Sequence, residues 1–129
     1  MIANDIDPSC SMALKFNADL NNVKLDGVES SEANLLEGDG QSLLNTNNTL
    51  LVGDMFYDEV LGNKVLQLCH SFKAMDRDNL VLIGDPGRWV LKNNPEFMSS
   101  SFCVAKYELA SSCKEENSGF SEGFVWKLK

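Results

Sequence analysis

Hydrophobic and polar positions alternate along the chain in blocks whose period switches between that of a strand and that of a helix. The opening "MIAND" reads as a short strand over residues 1–5 that ends in acid, and Pro8 and Ser9 follow as a helix start. In "SCSMALKFNADL" (9–20), Met12, Ala13, Phe16 and Leu20 recur at helical spacing. "VESSEANLL" (28–36) is a further strand candidate, followed by the turn-rich "EGDGQ". The continuous apolar run "TLLVGD" (49–54), closed by Gly53 and Asp54, predicts a strand buried on both faces.

The longest predicted helix runs from about Asp58 to Ala74, where Val60, Leu61, Lys64, Val65, Leu68 and Phe72 mark an apolar stripe with a charged opposite side. "LVLIGDPGR" (80–88) repeats the buried strand ending in Gly-Asp, and Pro86 and Gly87 then force a turn. A short helix is predicted from Trp89 to Asn94, stopped by Pro95. The last third changes character. "SFCVAKYEL" (101–109) and "GFVWKLK" (123–129) are alternating strands joined by the polar "ASSCKEENSGFSE", the pattern of an antiparallel hairpin. Strand–helix units that end in such a hairpin make an α/β sheet.

The length, 129 residues, suits one domain and is short for two. A formal charge of -8, with Lys and Arg scattered singly, disfavours a nucleic-acid binder, because phosphate contacts need a basic face. No apolar run is long enough for a membrane span, and the start shows neither a signal h-region nor an Arg-rich leader. Cys10, Cys69, Cys103 and Cys113 lie far apart, with no C-x-x-C pair, so reduced and mostly buried thiols are expected rather than a metal site; Cys113 falls in a polar loop. His70 reads as a helix-surface or partly buried residue, and Trp89 and Trp126 as packing residues.

"ANDIDP", "LLVGDMFYDE" and "VLIGDPGR", in this order and spacing, resemble the class I, seven-strand protein-lysine methyltransferases, and among them the branch that acts on the electron transfer flavoprotein beta subunit. The resemblance covers most of residues 1–88 and is looser beyond, where "ENSGF" and "VWKLK" resemble the closing hairpin. It implies a Rossmann-like sheet of strand order 3-2-1-4-5-7-6 and S-adenosyl-L-methionine as methyl donor. It also implies the electron transfer flavoprotein beta subunit as protein substrate, and the mitochondrial matrix as location. A complete member carries a strand and a glycine-rich turn before the segment with which this sequence starts. The chain is therefore expected to correspond to strands 2 to 7, lacking the first strand and the glycine-rich loop. Residues 1–5 and 49–54 would then expose unpaired strand edges, which invite self-association.

By the same resemblance Asp5 is the acid that hydrogen-bonds the ribose hydroxyls, with Asp7 as its rival and Ile6 as an apolar cover for the adenine. Capping of the helix near Ser9 is the alternative use of Asp5 or Asp7. Asn34 and Leu35 would meet the adenine, although turn propensity explains Asn34 equally. Gly53 would admit the donor close to the backbone. Asp54-x-x-Tyr57 matches the family's acidic-x-x-aromatic motif: the acid holds the incoming amine and the ring walls it from water. The competing account makes Asp54 a cap of the long helix, with Phe56 and Tyr57 in the core. Asp85 and Arg88 would lie at the neighbouring strand end and bind substrate, or simply form a tight Asp-Pro-Gly turn. Two other functions fit parts of the pattern: a non-catalytic remnant or binding module, and a nicotinamide-dependent Rossmann oxidoreductase.

Overall fold

The computed structural model describes residues 1–37, 40–116 and 119–129, with only the backbone of Glu116. Part of "EGDGQ" and part of "ENSGF" therefore lie outside the described residues. The chain forms two compact units, Met1–Leu43 and Leu44–Lys129.

In the first unit, β1 (Ile2–Asn4) pairs in parallel with β2 (Glu29–Ser31), Ile2 opposite Glu29. Between them runs α1 (Pro8–Leu20). Asp7 starts it: the carboxylate accepts from Ser9 N–H at 2.8 Å and from the Ser9 hydroxyl at 2.7 Å, and Pro8 supplies a preset first turn. These bonds hold the Asp7 carboxyl below its ordinary range. The predicted stripe does not face a core. Only Ala18 of this helix is buried, while Met12, Ala13, Phe16 and Leu20 are exposed. Helical spacing groups side chains on one face, but a second layer must be present to cover them.

The second unit holds β3 (Thr49–Gly53), α2 (Glu59–Met75), β4 (Leu80–Asp85), α3 (Trp89–Lys92), α4 (Pro95–Ser100), β5 (Ser101–Glu108), α5 (Ser111–Glu116) and β6 (Glu122–Leu128). Its sheet has the order β3-β4-β6-β5, with β3 and β4 parallel and β6 antiparallel to both of its neighbours. The last strand thus inserts between β4 and β5, the arrangement expected of the closing hairpin. Asp58 caps α2 by accepting from Leu61 N–H at 2.8 Å. The helix then turns Val65, Leu66, Cys69 and Phe72 inward, and Val81 and Ile83 of β4 are buried with them.

Four expectations change here. β3 is not buried on both faces: Leu50 and Val52 are half-buried, but Leu51 is 66% exposed. It pairs on one side only among the described residues. Pro95 does not merely stop a helix; α3 ends at Lys92, and Pro95 opens α4, capped by the Asn94 side chain on Phe97 N–H at 2.9 Å. Cysteine burial is confined to Cys69, whose thiol burial pushes up to about 12; Cys10 and Cys103 are exposed and Cys113 is half-buried. Trp126 packs edge-on against Phe97, as predicted, but Trp89 is exposed.

Candidate active site

Parallel pairing of β3 with β4 puts Gly53 opposite Gly84, so Asp54 and Asp85 leave the carboxyl edge of the sheet side by side. Open α/β sheets bind ligands at this edge. Asp54 N–H donates to the Gly84 carbonyl at 2.8 Å, and the residue turns into the left-handed region at φ 43°. Few residue types adopt that conformation, and aspartate is one that tolerates it. Such backbone costs energy that the surrounding structure must offset.

Asp85 organises the other side. Its Oδ1 accepts from Gly87 N–H at 2.6 Å and from Arg88 N–H at 2.7 Å. Gly87 closes this turn at φ 95°, a conformation that strains any residue with a Cβ. The turn sends the Arg88 side chain back to Asp54, where Nε donates to Oδ1 at 2.5 Å and Nη2 to Oδ2 at 2.7 Å. This two-pronged clamp raises the Arg88 pKa above its ordinary value. The guanidinium also lies over two rings, 5.9 Å from the centroid of Tyr57 and 5.5 Å from that of Phe120.

The competing helix-cap account of Asp54 is settled by geometry, because Asp58 occupies the cap. Phe56 is buried, as that account expected, but Tyr57 is 63% exposed beside Arg88. Asp85 and Arg88, predicted as substrate contacts, are engaged inside the protein: Asp85 with the turn, Arg88 with Asp54.

Asp85 itself is buried, and its Oδ2 has no hydrogen-bond partner among the described residues. Burial pushes this carboxyl above the ordinary range, against the pull of the two turn amides. A raised folded-state pKa means that the folded protein binds the proton more tightly than the unfolded chain does. Its contribution to stability is full below the ordinary aspartate pKa and is lost as pH rises through the folded value. Asp85→Asn keeps an oxygen for both turn amides and removes the ionisation. The variant is expected to unfold at a midpoint less dependent on pH between 4 and 7 than the parent (about the range in which a raised carboxyl titrates), as urea titrations at several pH values would measure. An unchanged pH dependence would remove Asp85 from this role.

The first unit carries the other predicted residues. Asp5 is exposed at the end of β1, and its Oδ1 accepts from Asp7 N–H at 2.9 Å. The nearby Cys10 thiol is raised by its hydrogen bond to Asp5. Asp7 serves as the helix cap and, like it, Asp5 is exposed to solvent. Ile6 is 66% exposed beside it. Asn34 is half-buried and makes the turn that its sequence context suggested, its Oδ1 accepting from Leu36 N–H at 3.0 Å; Leu35 is half-buried too. At Gly53, in the second unit, an added Cβ would meet nothing within 4 Å among the described residues. The fold alone therefore gives no steric reason for glycine there.

Phe120 was not singled out by the sequence reading. It belongs to the polar connection between α5 and β6, and an isolated aromatic among Ser, Glu and Gly was the signal available. The Asp54–Arg88 pair was also missed as a pair, because its members are 34 residues apart.

The chain is 36% identical over 130 residues to the electron transfer flavoprotein beta subunit lysine methyltransferase of Danio rerio, covering 98% of this chain and 46% of that protein. It is 35% identical to the protein of the same name from Xenopus laevis, covering 100% of this chain and 49% of the relative. For Homo sapiens the identity is 35%, over 98% of this chain and 45% of the relative. The chain is a homologue of these methyltransferases. It spans about half the length of the curated relatives it matches.

No family model matches. The solved structure of a candidate methylase from Haemophilus influenzae superposes with a TM-score of 0.51 at 10% identity, over 98% of this chain and 71% of that one. The fold is accordingly α/β and class I methyltransferase-like. Among the described residues no helix is long and apolar enough to cross a membrane, and no group of three His, Cys, Asp or Glu side chains could hold a metal ion.

Proposed function

We propose that this chain carries the lysine-handling part of an S-adenosylmethionine-dependent protein-lysine N-methyltransferase. Its substrate in this reading is the electron transfer flavoprotein beta subunit, named in the homologues, and on the resemblance alone it works in the mitochondrial matrix. The observation that carries the reading is Asp54, held in a left-handed turn at the carboxyl edge of β3 with its carboxylate 43% exposed and clamped by Arg88, whose guanidinium lies over the ring of Tyr57.

S-adenosylmethionine supplies an activated methyl group when bound. Each unit, taken by itself, carries residues suited to it: in the first, Asp5 offers an exposed carboxylate for ribose hydroxyls, and in the second, Gly53 leaves the backbone open to a close approach. Ile6 and Leu35 are apolar candidates for the adenine, with Asn34 beside Leu35. At the other end of the reaction, a lysine amine must present its lone pair to the methyl carbon. The bound donor would give up its methyl with the carbon–sulfur electron pair left on sulfur, and the methylated nitrogen would release a proton to solvent. Asp54 holds and orients that amine through an N–H, and Tyr57 limits water around it. Such positioning is the main means by which a displacement of this kind is accelerated.

The test is calorimetric binding of S-adenosylmethionine, and of its demethylated product, to the chain and to Asp5→Ala. Saturable binding that the substitution weakens about tenfold or more is the expected result, since two charge-assisted hydrogen bonds are removed. A folded sample that binds neither compound would overturn the proposal and favour a non-catalytic protein.

A further inference from the structure

We infer that Arg88 sets the Asp54 carboxylate to accept a neutral primary amine in preference to an ammonium, an inference that rests on the lysine-methyltransferase reading and deepens it. In this role Arg88 is a positioning residue; it acts on the substrate nitrogen through Asp54.

The argument begins with lone pairs. A carboxylate offers about four acceptor sites, and the clamp from Arg88 Nε and Nη2 takes one on each oxygen. The Asp54 side chain is nonetheless the more accessible partner, 43% exposed against 22% for Arg88. A neutral amine can donate one N–H to a remaining site at little electrostatic penalty. An ammonium meets a carboxylate whose charge is already matched by a fixed guanidinium, and a like charge close by disfavours the charged form.

The guanidinium is well fixed. Its backbone N–H is tied to Asp85, its head to both Asp54 oxygens, and its faces lie near the rings of Tyr57 and Phe120. Among the described residues, the charged or titratable groups facing Arg88 are Asp54 from the end of β3, Asp85 from the end of β4, and Tyr57 from the connection to α2. Phe120, from the connection before β6, adds an uncharged ring. Asp85 is buried and directs Oδ1 at the turn amides, so Asp54 is the carboxylate open to an amine.

The chemical consequence concerns the nucleophile. Free lysine holds its proton up to a pKa of about 10.4, and an ammonium has no lone pair to attack a methyl group. A site selective for the neutral form lowers the apparent pKa of the bound lysine without a separate base.

The probe is n-butylamine, a mimic of the lysine side-chain end, titrated into the ¹³C-labelled chain between about pH 7 and 9, below the ordinary tyrosine range. Ring resonances of Tyr57 and Phe120 report binding. If only the neutral amine binds, the apparent Kd on total amine falls about tenfold for each pH unit. Arg88→Gln is expected to flatten this dependence and to tighten binding at the acidic end, because Asp54 then attracts the ammonium. Arg88→Lys keeps a cation but not the two-pronged fork, so the slope is expected to survive while binding weakens. If Arg88→Gln does not fold, the slopes of the parent and of Arg88→Lys decide.

Equal affinity across the pH range in the parent would overturn the inference. So would an unchanged slope in Arg88→Gln, or the absence of saturable binding at the basic end by folded parent protein. Failure of the wider reading looks different: no donor binding and no methyl transfer, whatever the amine does. Methyl transfer combined with a flat amine profile would instead sink the role of Arg88 alone.

Discussion

On the proposed function, Asp54→Ala is expected to lower methyl transfer to the protein substrate by about a hundredfold or more, the scale on which a preorganised polar group at a reaction centre acts. The substitution frees the Arg88 guanidinium from its partner, and in the proposed reading it also removes the acceptor for the target amine. Stability should change little. The pair is partly exposed, 22% on Arg88 and 43% on Asp54, so its loss costs about 1 kcal/mol or less. Alanine also fits the left-handed backbone at φ 43° less well than aspartate, which adds a modest penalty. The measurement is a labelled-methyl transfer assay beside a thermal melt. Activity retained within about threefold would remove Asp54 from the chemistry; a collapsed melting temperature would assign it to the fold.

Phe72→Ala is the largest expected stability effect. Phe72 has no exposure at all and is buried on α2 with Val65, Leu66 and Cys69, while Val81 and Ile83 are equally buried on β4. Truncating a buried phenylalanine costs about 3–5 kcal/mol, the lost burial plus a cavity that neighbours only partly fill. Small folded units hold about 5–15 kcal/mol in total, so the variant should sit near the edge of unfolding at room temperature. Urea titration is the check: the midpoint should fall sharply while the slope stays as in the parent. A shift worth less than about 1 kcal/mol would contradict a close-packed α2–β4 layer. The sheet edge bearing Asp54 and Asp85 rests on that layer, so the same variant should also lose amine binding.

Much of this arrangement could be read from local pattern. The strands around Leu50 and Val81, the long helix after Asp58, and the closing antiparallel pair all follow from runs whose period belongs to one type of element. The motifs "GDMFYD" and "GDPGR" marked both strand ends of the candidate site, and the homologues agree with the family that these motifs suggested together with "ANDIDP". Local pattern also left choices open in pairs. Asp5 and Asp7 were both available as cap or ribose acid, and Asp54 and Asp58 both stood before the long helix. In each pair the three-dimensional hydrogen bonds made the second aspartate the cap.

What lay in the order of residues was the kind of most elements, though not of α4 or α5, the chemistry of each strand end, and the family they resemble. Periodicity and short-range hydrogen bonding act over a few residues, so these properties are written locally. Only the folded chain decided which apolar faces are covered: Phe72 and Ile83 are buried, while Phe16, Leu51 and Trp89 are not, although all five have similar transfer preferences. Only the parallel register of β3 on β4 brought Arg88 to Asp54 across 34 residues, and only the return of the chain before β6 brought Phe120 to Arg88. Burial and long-range ion pairing depend on what the rest of the chain places nearby, and no local pattern carries that information.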